Sequence, residues 1–399
     1  MNILLVTMEM QVGGAETHVF ELAKELKKRG NNVIVMSAGG KYADELEKAG
    51  IKHIYAPLKN KKPQNILKSY KIIKETVINK KIDVVHAHAR IPGFISGLVC
   101  KKLKLPLVTT VHGIYKVTPI LKLLTNWGEK TLTVSEDIKS QVIKDYKLNP
   151  EDVSVTVNGI NTDVFSNGKS VVSELNDAKF KVVHVSRLDT DSSDVAEKLI
   201  NIIDELNKRL NKNFELVIVG TGNKFEDLKE LSKDKDDVKM LGLRTDVSEI
   251  LKAGNLFVGV SRAALEAMAT QLPVILAGNP NYHQGYIGIF DKSKLENAIS
   301  TNFCCRDCEE VTNEKLIRDI IEIYDMSKEE KEEMGKYNRS VVEDMYSVDK
   351  MVNDCEKMYK EVSKIRWVRK TIYGAIKREH YLDCHYLLHV ILWQVKNYL

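Results

Sequence analysis

The sequence of 399 residues lacks any long apolar run. No stretch approaches the roughly 20 apolar residues that a membrane-spanning helix needs. The first residues, MNILLVTMEM, also lack the basic flank and the small-residue cleavage site of a secretion signal. We therefore expect a cytoplasmic protein with no membrane-spanning segment.

Cysteine is scarce as well. Six cysteines in a chain of this size do not make a disulfide scaffold, which is typical of a reducing compartment. Cys305 and Cys308, within the stretch CCRDC, have the spacing of a metal-binding pair, but a zinc site needs a second pair of ligands and none follows nearby. We interpret Cys304, Cys305 and Cys308 as incidental thiols in a loop.

Charge is distributed unevenly, although the net charge is only +5. Residues 1–130 contain 22 Lys and Arg against 10 Asp and Glu, residues 362–399 contain 7 against 2, and the remainder is acidic. This indicates a positive face for anionic lipid, a charged acceptor or nucleic acid, with a solvated lysine-rich surface as the simpler interpretation. Nucleic acid is disfavoured, because no recognition module is apparent and the basic residues are scattered over several helices.

Strand-like and helix-like segments alternate along the first half of the chain. Short β-branched runs recur at residues 3–7, 33–37, 82–88, 106–112 and 131–135. Segments of helical period lie between them, such as residues 16–30. The strands are continuously apolar, which is typical of strands covered on both faces. The pattern predicts an α/β fold with a doubly wound parallel sheet between helices.

The same alternation starts again in the second half. Strand-like runs recur at residues 181–186, 214–220, 238–242, 256–261 and 272–278. The polar stretch at 161–170 is the expected linker, so we expect domains at 1–165 and 166–355 and a helical tail at 356–399. Two doubly wound domains predict a cleft between them, with ligands at the carboxyl ends of the strands.

The tail mixes basic and aromatic residues at helical spacing. An apolar stripe at Ile365, Val368, Ile372 and Ala375 predicts a helix that packs against a domain. The alternative is a helix on a membrane surface, with its polar side formed by Lys364, Arg366, Arg369 and Lys370.

Two glycines and three histidines mark the strand ends of the first half. Gly13 and Gly14 leave backbone N–H groups at a helix N-terminus, which favours phosphate or another anion. The full G-x-G-x-x-G fingerprint is absent, so a nicotinamide cofactor is not indicated. His86 and His88 lie on one face of a strand because side chains alternate with period two. His112 ends the next strand, and it is the histidine that we expect to be functional.

The strand ends of the second half predict a nucleotide pocket. Arg187 follows one strand and can pair with phosphate. Gly220 and Gly222 follow the next strand, and Leu243 and Arg244 the one after it. A further helix begins with Ser261, Arg262 and Ala263 and carries Glu266 one turn later. The backbone N–H groups at the start of this helix can bind phosphate, and the carboxylate of Glu266 can accept hydrogen bonds from a ribose diol.

Eight segments of the sequence resemble segments of the retaining, metal-independent glycosyltransferases of family 4, which have the GT-B fold, and they occur in the same order as in that family. They are GGAE, VVHAHARIPGF, VTTVHGIY, TVSEDIK, VNGINTDVF, VSRLD, LVIVGTGN and LEAMATQLPVI. The resemblance implies two Rossmann-like domains facing a central cleft. The first would bind the acceptor and the second the nucleotide-sugar donor, and C-terminal helices would return to the first.

The implied activity is transfer of a hexosyl group from a nucleoside-diphosphate sugar, by default a UDP-sugar, to a hydroxyl of a glycan or lipid-linked acceptor. Transfer would retain the anomeric configuration, need no cofactor or metal, and serve cell-envelope polysaccharide or glycolipid synthesis. The enzyme is expected in the cytoplasm, peripheral on the inner face of the plasma membrane. The sugar, the linkage and the oligomeric state stay open.

The resemblance also assigns roles residue by residue. Glu266 matches the glutamate that holds the ribose, and His112 the histidine beside the anomeric centre of the donor. Arg187 matches the basic residue on the diphosphate. The remaining donor-binding matches are Gly14, Gly220 and Gly222 in the loops, Leu243 and Arg244 at the base, and Ser261, Arg262 and Ala263 at the phosphates.

Two departures from the family pattern bear on activity. The glutamate usually found eight positions before Glu266, which contacts donor sugar hydroxyls, is replaced by Val258. The lysine usually found five or six residues after the arginine is replaced by Ser192 or Ser193. Losing one charge-assisted hydrogen bond costs about 1.5–3 kcal/mol unless it is replaced. The candidates for replacing it are Asn279, Asn281 and His283.

Three other interpretations remain. Asp189 and Asp191 match the short acidic motif that holds a divalent metal in the other major glycosyltransferase fold, a motif that often arises by chance. A nucleotide-sugar epimerase shares the GT-B fold. A non-catalytic partner would keep the nucleotide pocket without turnover, which Val258 and the missing lysine make plausible.

Overall fold

The computed structural model describes residues 1–378 except 12, 61, 176–177 and 210–212, without the side chains of 123 and 365–378. Contacts divide the chain into two compact units. The first unit comprises Met1–Leu132, Asn149–Ser154 and the described residues from Asn353 to 378. The second comprises Thr133–Leu148 and Val155–Val352.

A seven-stranded sheet forms the centre of the first unit. Its strands are β1 (Asn2–Val6), β2 (Asn32–Ser37), β3 (Lys52–Tyr55), β4 (Val84–His88), β5 (Leu107–Val111), β6 (Lys130–Thr133) and β7 (Val153–Val155). The helices between them along the chain are α1 (Gly14–Lys28), α2 (Lys41–Lys48), α3 (Pro63–Asn79), α4 (Arg90–Leu103) and α5 (Pro119–Leu123). The helix between β6 and β7, α6 (Glu136–Tyr146), is grouped with the second unit.

The strand order of this sheet is β3-β2-β1-β4-β5-β6-β7. The described pairs among β1 to β5 are parallel. β4 and β5 are buried along their whole length, because helices cover both faces. On one face, α3 and α4 pack against the sheet through Ile73 and Val99. From β1 the chain adds β2 and β3 on one side, and it then crosses to β4 on the other side of β1. The strand order therefore reverses between β1 and β4, which makes their carboxyl ends a topological switch point.

A six-stranded sheet forms the centre of the second unit. Its strands are β8 (Phe180–Val185), β9 (Phe214–Val219), β10 (Val238–Gly242), β11 (Leu256–Gly259), β12 (Val274–Ala277) and β13 (Tyr286–Ile289). The helices are α7 (Asp194–Arg209), α8 (Phe225–Leu231), α9 (Val247–Ala253), α10 (Ser261–Ala269), α11 (Leu295–Ser300), α12 (Asn313–Asp325) and α13 (Lys328–Met345). The long helix α14 (Val348–Arg378) begins in this unit and continues into the residues grouped with the first.

The strand order of the second sheet is β10-β9-β8-β11-β12-β13. Among its described strand pairs, β12/β13 is antiparallel and the others are parallel. Helices α7 and α12 pack on one face with Val182, and α10 and α13 pack on the other with Val183. Successive residues of β8 thus enter opposite cores, as strand geometry requires. Two doubly wound, mainly parallel α/β sheets confirm the predicted fold class.

The polar stretch at 161–170 lies inside the second unit, although the sequence predicted a linker there. Asn161 folds it back by accepting from the N–H groups of Asp163 and Val164 at 3.2 and 3.3 Å. Arg339 then anchors it by donating to the carbonyls of Phe165 and Thr162, both at 3.2 Å. The unit boundaries fall instead near residues 132, 148, 154 and 352.

The described part of the chain contains no helix that is long and apolar enough to cross a membrane. The predicted apolar stripe from Ile365 to Ala375 and the basic side chains of Arg366, Arg369 and Lys370 lie outside the described side chains. Lys364 is exposed on α14.

Candidate active site

The donor-binding residues predicted in the second unit all follow strands at one edge of its sheet. Along that edge, the strand order places Leu243 and Arg244 after β10, then Gly220 and Gly222 after β9, Arg187 after β8, and Ser261 to Glu266 after β11. β8 and β11 are neighbours, and the chain reverses its direction of winding between them. Ligands of doubly wound sheets bind at such a switch point, outside the carboxyl ends of the strands.

Arg187 is exposed at the end of β8 and is held by a tyrosine. Its Nη2 donates to the hydroxyl of Tyr282 at 3.2 Å. Tyr282 lies in the loop after β12, so this contact joins loops from two strands that flank β11. Burial raises the pKa of Tyr282, and its hydrogen bond to Asp191 raises it further while Arg187 opposes the rise. Tyr282 was missed from the sequence, and only its place in the polar loop NPNYHQ offered a signal.

His184 connects the two strands of the switch point. Its Nδ1 lies 2.8 Å from the carbonyl oxygen of Val258, so Nδ1 carries the hydrogen, and Nε2 accepts from the Ser186 hydroxyl at 2.8 Å. Burial lowers the pKa of His184 to about 4, with the Val258 carbonyl opposing the shift. The imidazole is therefore neutral, and it fixes Ser186 immediately before Arg187.

The two glycines after β9 are required by close packing of neighbouring loops. Gly220 has φ +139°, and a Cβ there would lie 1.8 Å from the Ser186 carbonyl oxygen. A Cβ at Gly222 would lie 2.3 Å from the Leu188 carbonyl. The Asp189 carboxylate accepts from the Asn223 N–H at 3.0 Å, which ties the same two loops together. These glycines allow the loop after β9 to lie against the loop that carries Arg187.

Arg244 is paired with acidic residues of its own unit. Its Nε and Nη2 donate to the two carboxylate oxygens of Asp246 at 2.8 and 2.6 Å, and its Nη1 donates to Glu174. The neighbouring Leu243 is exposed. The segment thus presents an apolar side chain beside a guanidinium whose orientation is fixed by carboxylates.

The start of α10 has an unusual backbone. Ser261 has φ +60°, a left-handed conformation that disfavours a non-glycine residue. Its N–H donates to the Phe303 carbonyl at 2.6 Å, so this N–H is occupied by the protein itself. Arg262 and Ala263 follow in the first helical turn, where N–H groups have no acceptor within the helix. The predicted phosphate contacts of this helix therefore reduce to the backbone of Arg262 and Ala263.

Glu266 and Arg262 form an ion pair one helical turn apart. Arg262 Nε donates to Glu266 Oε1 at 2.7 Å, and the two side chains are only 11% and 13% exposed. Arg262 Nη1 also donates to the Gly159 carbonyl at 3.1 Å. The arginine thereby holds the carboxylate in place. A carboxylate accepts up to about four hydrogen bonds, so the pair is compatible with a ribose diol as a further ligand.

The residues at the two positions that depart from the family pattern are buried in the protein core. Val258 is fully buried in the core formed with α7 and α12. Ser192 and Ser193 are buried as well, and the Ser192 hydroxyl accepts from the Asp189 N–H at 3.3 Å. Neither position places a charged group at the edge of the sheet.

The three polar candidates for replacing the missing glutamate differ in their surroundings. Asn279 is buried and its Oδ1 accepts from the Val195 N–H at 3.3 Å, which caps the start of α7. Asn281 and His283 are exposed in the loop that carries Tyr282. Asn279 therefore has a structural partner, and Asn281 and His283 remain as the candidates.

The first unit brings its predicted residues to its own switch point. Gly14 begins α1, and a Cβ there would meet no atom within 4 Å, so internal packing does not require this glycine. His112 follows β5 and is half-buried, and its Nε2 lies 3.1 Å from His88 Nδ1 at the end of β4. His18 of α1 packs against both rings, with ring centroids 5.5 Å from His88 and 4.7 Å from His112. His18 was missed from the sequence.

His86 has a structural role by contrast. Its Nδ1 lies 2.7 Å from the Tyr359 hydroxyl, and its Nε2 lies 2.7 Å from the Thr110 hydroxyl. Burial lowers its pKa to about 3, with His112 adding to the effect. His86 is thus a neutral core residue with both ring nitrogens in use.

The acidic motif and the cysteine pair are the two possible metal-binding motifs of the sequence. Within the described part of the chain, Asp189, Asp191 and the cysteines belong to no set of three possible metal ligands. Cys304 and Cys305 are buried thiols, and burial raises the pKa of Cys305 well above its usual value. Arg306, between the cysteines, donates to Asp137 Oδ1 at 2.9 Å.

Two doubly wound α/β units, with polar loops at the switch point of the second, are the architecture of GT-B glycosyltransferases. Residues 12–164 match the family model described as Glycosyltransferase Family 4, and residues 179–290 match the model Glycosyl transferases group 1. The chain belongs to the family 4 glycosyltransferases.

Curated relatives and solved structures agree with this assignment. One component of human phosphatidylinositol N-acetylglucosaminyltransferase is 25% identical over 290 residues, which are 65% of this chain and 56% of the relative. The UDP-Gal:alpha-D-GlcNAc-diphosphoundecaprenol alpha-1,3-galactosyltransferase of Escherichia coli is 28% identical over 244 residues, 54% of this chain and 61% of the relative. The chain thus spans less than two thirds of either relative. Anabaena HepE in complex with UDP-glucose shares the fold with a TM-score of 0.70, at 17% identity over 90% of this chain and 100% of that one.

Proposed function

We propose that this glycosyltransferase moves a hexosyl group from a UDP-sugar to a hydroxyl of a glycan or lipid-linked acceptor, with retention and without a metal ion. The observation that carries the proposal is the row of polar loops at the β8/β11 switch point, where Arg187 is held by Tyr282 and Glu266 by Arg262. The names of the similar proteins support the proposed donor and acceptor. One acts with UDP-Gal on a diphosphoundecaprenol acceptor, and the fold is shared with a protein solved with UDP-glucose.

In this proposal the second unit binds the donor and the first binds the acceptor. Glu266 holds the ribose, Leu243 and Arg244 read the base, and Gly220 and Gly222 shape the loop between them. Arg187, the first turn of α10 and the backbone at Gly14 bind the diphosphate. Asn281 or His283 contacts the donor sugar in place of the missing glutamate.

The chemical demand is to stabilise the leaving diphosphate in an oxocarbenium-like transition state. Positive charge and oriented N–H groups supply this stabilisation. Arg187 contributes a guanidinium whose position Tyr282 restricts, and α10 contributes its N-terminus. His112 lies beside the anomeric centre and contacts the reacting sugar. We propose that these groups replace the metal ion that other glycosyltransferases use.

We also propose that the protein works at the cytoplasmic face of an anionic membrane, in polysaccharide or glycolipid synthesis. Support comes from the basic first 130 residues and from an apolar segment after β5. Ile114, Ile120 and Leu124 are exposed in that segment, and Lys116 and Lys122 are exposed between them.

The first test is a thermal-shift screen of nucleotide sugars, because a ligand of the folded state raises the melting temperature. Donors that bind are then incubated with lipid-linked acceptors, and release of nucleoside diphosphate is measured with and without a chelator. We expect release that needs an acceptor and survives the chelator. Product without an acceptor would indicate an epimerase, and nucleotide binding without release would indicate a non-catalytic partner. The relatives with a stated activity are transferases, which favours transfer.

Two variants test the site. Glu266→Ala removes a charge-assisted hydrogen bond worth about 1.5–3 kcal/mol, so we expect donor affinity to fall about 10–150-fold. His112→Ala should lower kcat more than donor affinity. Glu333→Ala, which removes an exposed carboxylate of α13, is the matched control and should change neither. Full activity in both site variants would show that the site is wrongly assigned.

A further inference from the structure

Three histidines from separate elements meet at the switch point of the first unit. His88 ends β4, and His112 follows the neighbouring β5. His18 lies in the second turn of α1, which crosses the same edge after the Gly13–Gly14 turn. The pairing of β4 with β5 therefore places His88 near His112, and α1 places His18 beside them. His18 and His88 are fully buried, whereas His112 is half-buried.

The geometry of the three rings is close to that of a metal site. One ring nitrogen from each histidine lies within 4.8 Å of one from each of the others. Two nitrogens bound to one tetrahedral Zn²⁺ at ~2.0–2.1 Å lie about 3.4 Å apart. His88 Nδ1 and His112 Nε2 are 3.1 Å apart. One pair is thus already at ligand spacing, and a ring nitrogen of His18 lies within 4.8 Å of a nitrogen of each of the other two rings.

The chemical state of the cluster also suits a metal ion. Metal ligation needs neutral imidazoles. Burial lowers the pKa of His88 well below its usual value, and the neighbouring histidines add to the effect. The nearby His86 cannot act as a further ligand, because both of its ring nitrogens are in use.

We propose that His18, His88 and His112 form a binding site for a divalent transition-metal ion of the Zn²⁺ type. Three imidazoles leave a fourth position for water, as in zinc sites with three protein ligands. The exposed side of His112 provides the entry path. Binding replaces the hydrogen bond between His88 and His112, and the proton of that bond moves to the other nitrogen of the same ring.

The site is tested on untagged, full-length protein after dialysis against a chelator. Co²⁺ is the probe, because its visible bands are intense in four-coordinate sites and weak in six-coordinate ones. We expect one Co²⁺ per chain with intense bands, displaced by one equivalent of Zn²⁺. X-ray absorption of the Zn²⁺-loaded wild type should show three imidazole ligands and one oxygen. Weak bands, or fewer than three imidazoles, would overturn the proposal.

Two variants assign the ligands. His18→Asn and His88→Asn each remove one imidazole, so Zn²⁺ affinity should fall by more than the roughly 10–100-fold that loss of an outer partner costs. His283→Asn removes an exposed histidine of the second unit and is the matched control. Circular dichroism without metal establishes that each variant is folded. Equal affinity in His18→Asn, His88→Asn and the control would also overturn the proposal.

A last measurement rests on the proposed function. If His112 contacts the reacting sugar, Zn²⁺ should inhibit transfer at the concentration that fills the site, while a chelator leaves transfer intact. The Co²⁺ and X-ray measurements do not depend on turnover. Stoichiometric binding without any transfer activity would therefore keep the metal site and reject the proposed function.

Discussion

His184 is the residue that joins the two strands carrying the donor site. It donates to β11 through the Val258 carbonyl and accepts from Ser186 at the end of β8. Both bonds need a neutral imidazole with its hydrogen on Nδ1. A protonated ring would carry a hydrogen on Nε2 as well, and that nitrogen could no longer accept from the Ser186 hydroxyl.

Acid should therefore weaken the second unit through His184. Burial lowers its pKa to about 4 in the folded protein, from 6.5 when the ring is exposed. The unfolded chain binds the proton first as pH falls, so the stabilisation is present above pH 6.5 and is lost towards pH 4. At pH 5 the loss is about 2 kcal/mol. Hydrogen exchange of peptides covering β8 and β11, with urea titrations at pH 7.5 and 5, measures it.

The variant His184→Gln keeps a polar side chain but does not titrate. We expect it to lose this part of the pH dependence, whatever its stability at neutral pH. His283→Gln, in which His184 is intact, should retain it. A wild-type slope in His184→Gln would contradict the assignment.

Single residues also show where sequence reasoning ends. Arg187 and Glu266 could be predicted because each follows a recognisable strand in a familiar segment. Tyr282 could not, because its contact with Arg187 depends on how the loop after β12 folds across β11. The same holds for Phe303, whose carbonyl takes the Ser261 N–H from 42 positions away. Such contacts are long-range and leave no local pattern.

At the scale of elements, the sequence predicted the long buried strands well. The predicted run at 238–242 coincides with β10, and the other predicted strands overlap those found. Three strands were missed, β3, β7 and β13. β3 is only half-buried, β7 has three residues, and β13 pairs antiparallel at the edge of its sheet. Apolar runs identify strands in the middle of a sheet, whereas β3 and β7 lack such a run and β13 is a run of only four residues interrupted by a glycine.

Among the described residues, the segment 114–124 is the one that we propose contacts the membrane. Arg90 fixes its start, stacking 4.8 Å over the Tyr115 ring and donating to the Lys116 carbonyl at 3.0 Å. Ile120 is 70% exposed on α5. Exposed apolar side chains beside lysines are typical of surfaces that enter the headgroup region of an anionic bilayer.

Ile120→Ser should therefore weaken binding to anionic liposomes. Burying an isoleucine side chain contributes about 1.5–3 kcal/mol, so we expect a loss of roughly tenfold or more in co-sedimentation. Val171→Ser, at an 81% exposed position of the second unit, is the matched control. Binding that ignores lipid charge and salt, or that is equal in both variants, would count against this surface.

At the scale of the whole molecule, the two ends of the described chain fold into one unit. α14 places Cys355, Tyr359 and Val362 in the buried core, grouped with the first 132 residues. Arg29 Nη1 of the first unit donates to Asn353 Oδ1 at 2.7 Å and to Glu356 Oε2 at 3.3 Å. Helical spacing predicted an apolar stripe in the tail, but periodicity does not say which domain such a stripe packs against. The resemblance to the family supplied that expectation.

The hydrogen bond between Tyr359 and His86 spans 273 residues of sequence and is buried at both ends. Tyr359→Phe removes the hydroxyl and leaves His86 Nδ1 without this partner, which should cost about 1–3 kcal/mol of unfolding free energy. Urea denaturation followed by tryptophan fluorescence measures the stability of the first unit, in a Trp367→Phe, Trp393→Phe background that leaves buried Trp127 as the reporter. Tyr55→Phe, at a 59% exposed position of the same unit, is the matched control and should cost nearly nothing. An equal loss in both variants would mean that the C-terminal helix does not stabilise the first unit through this bond.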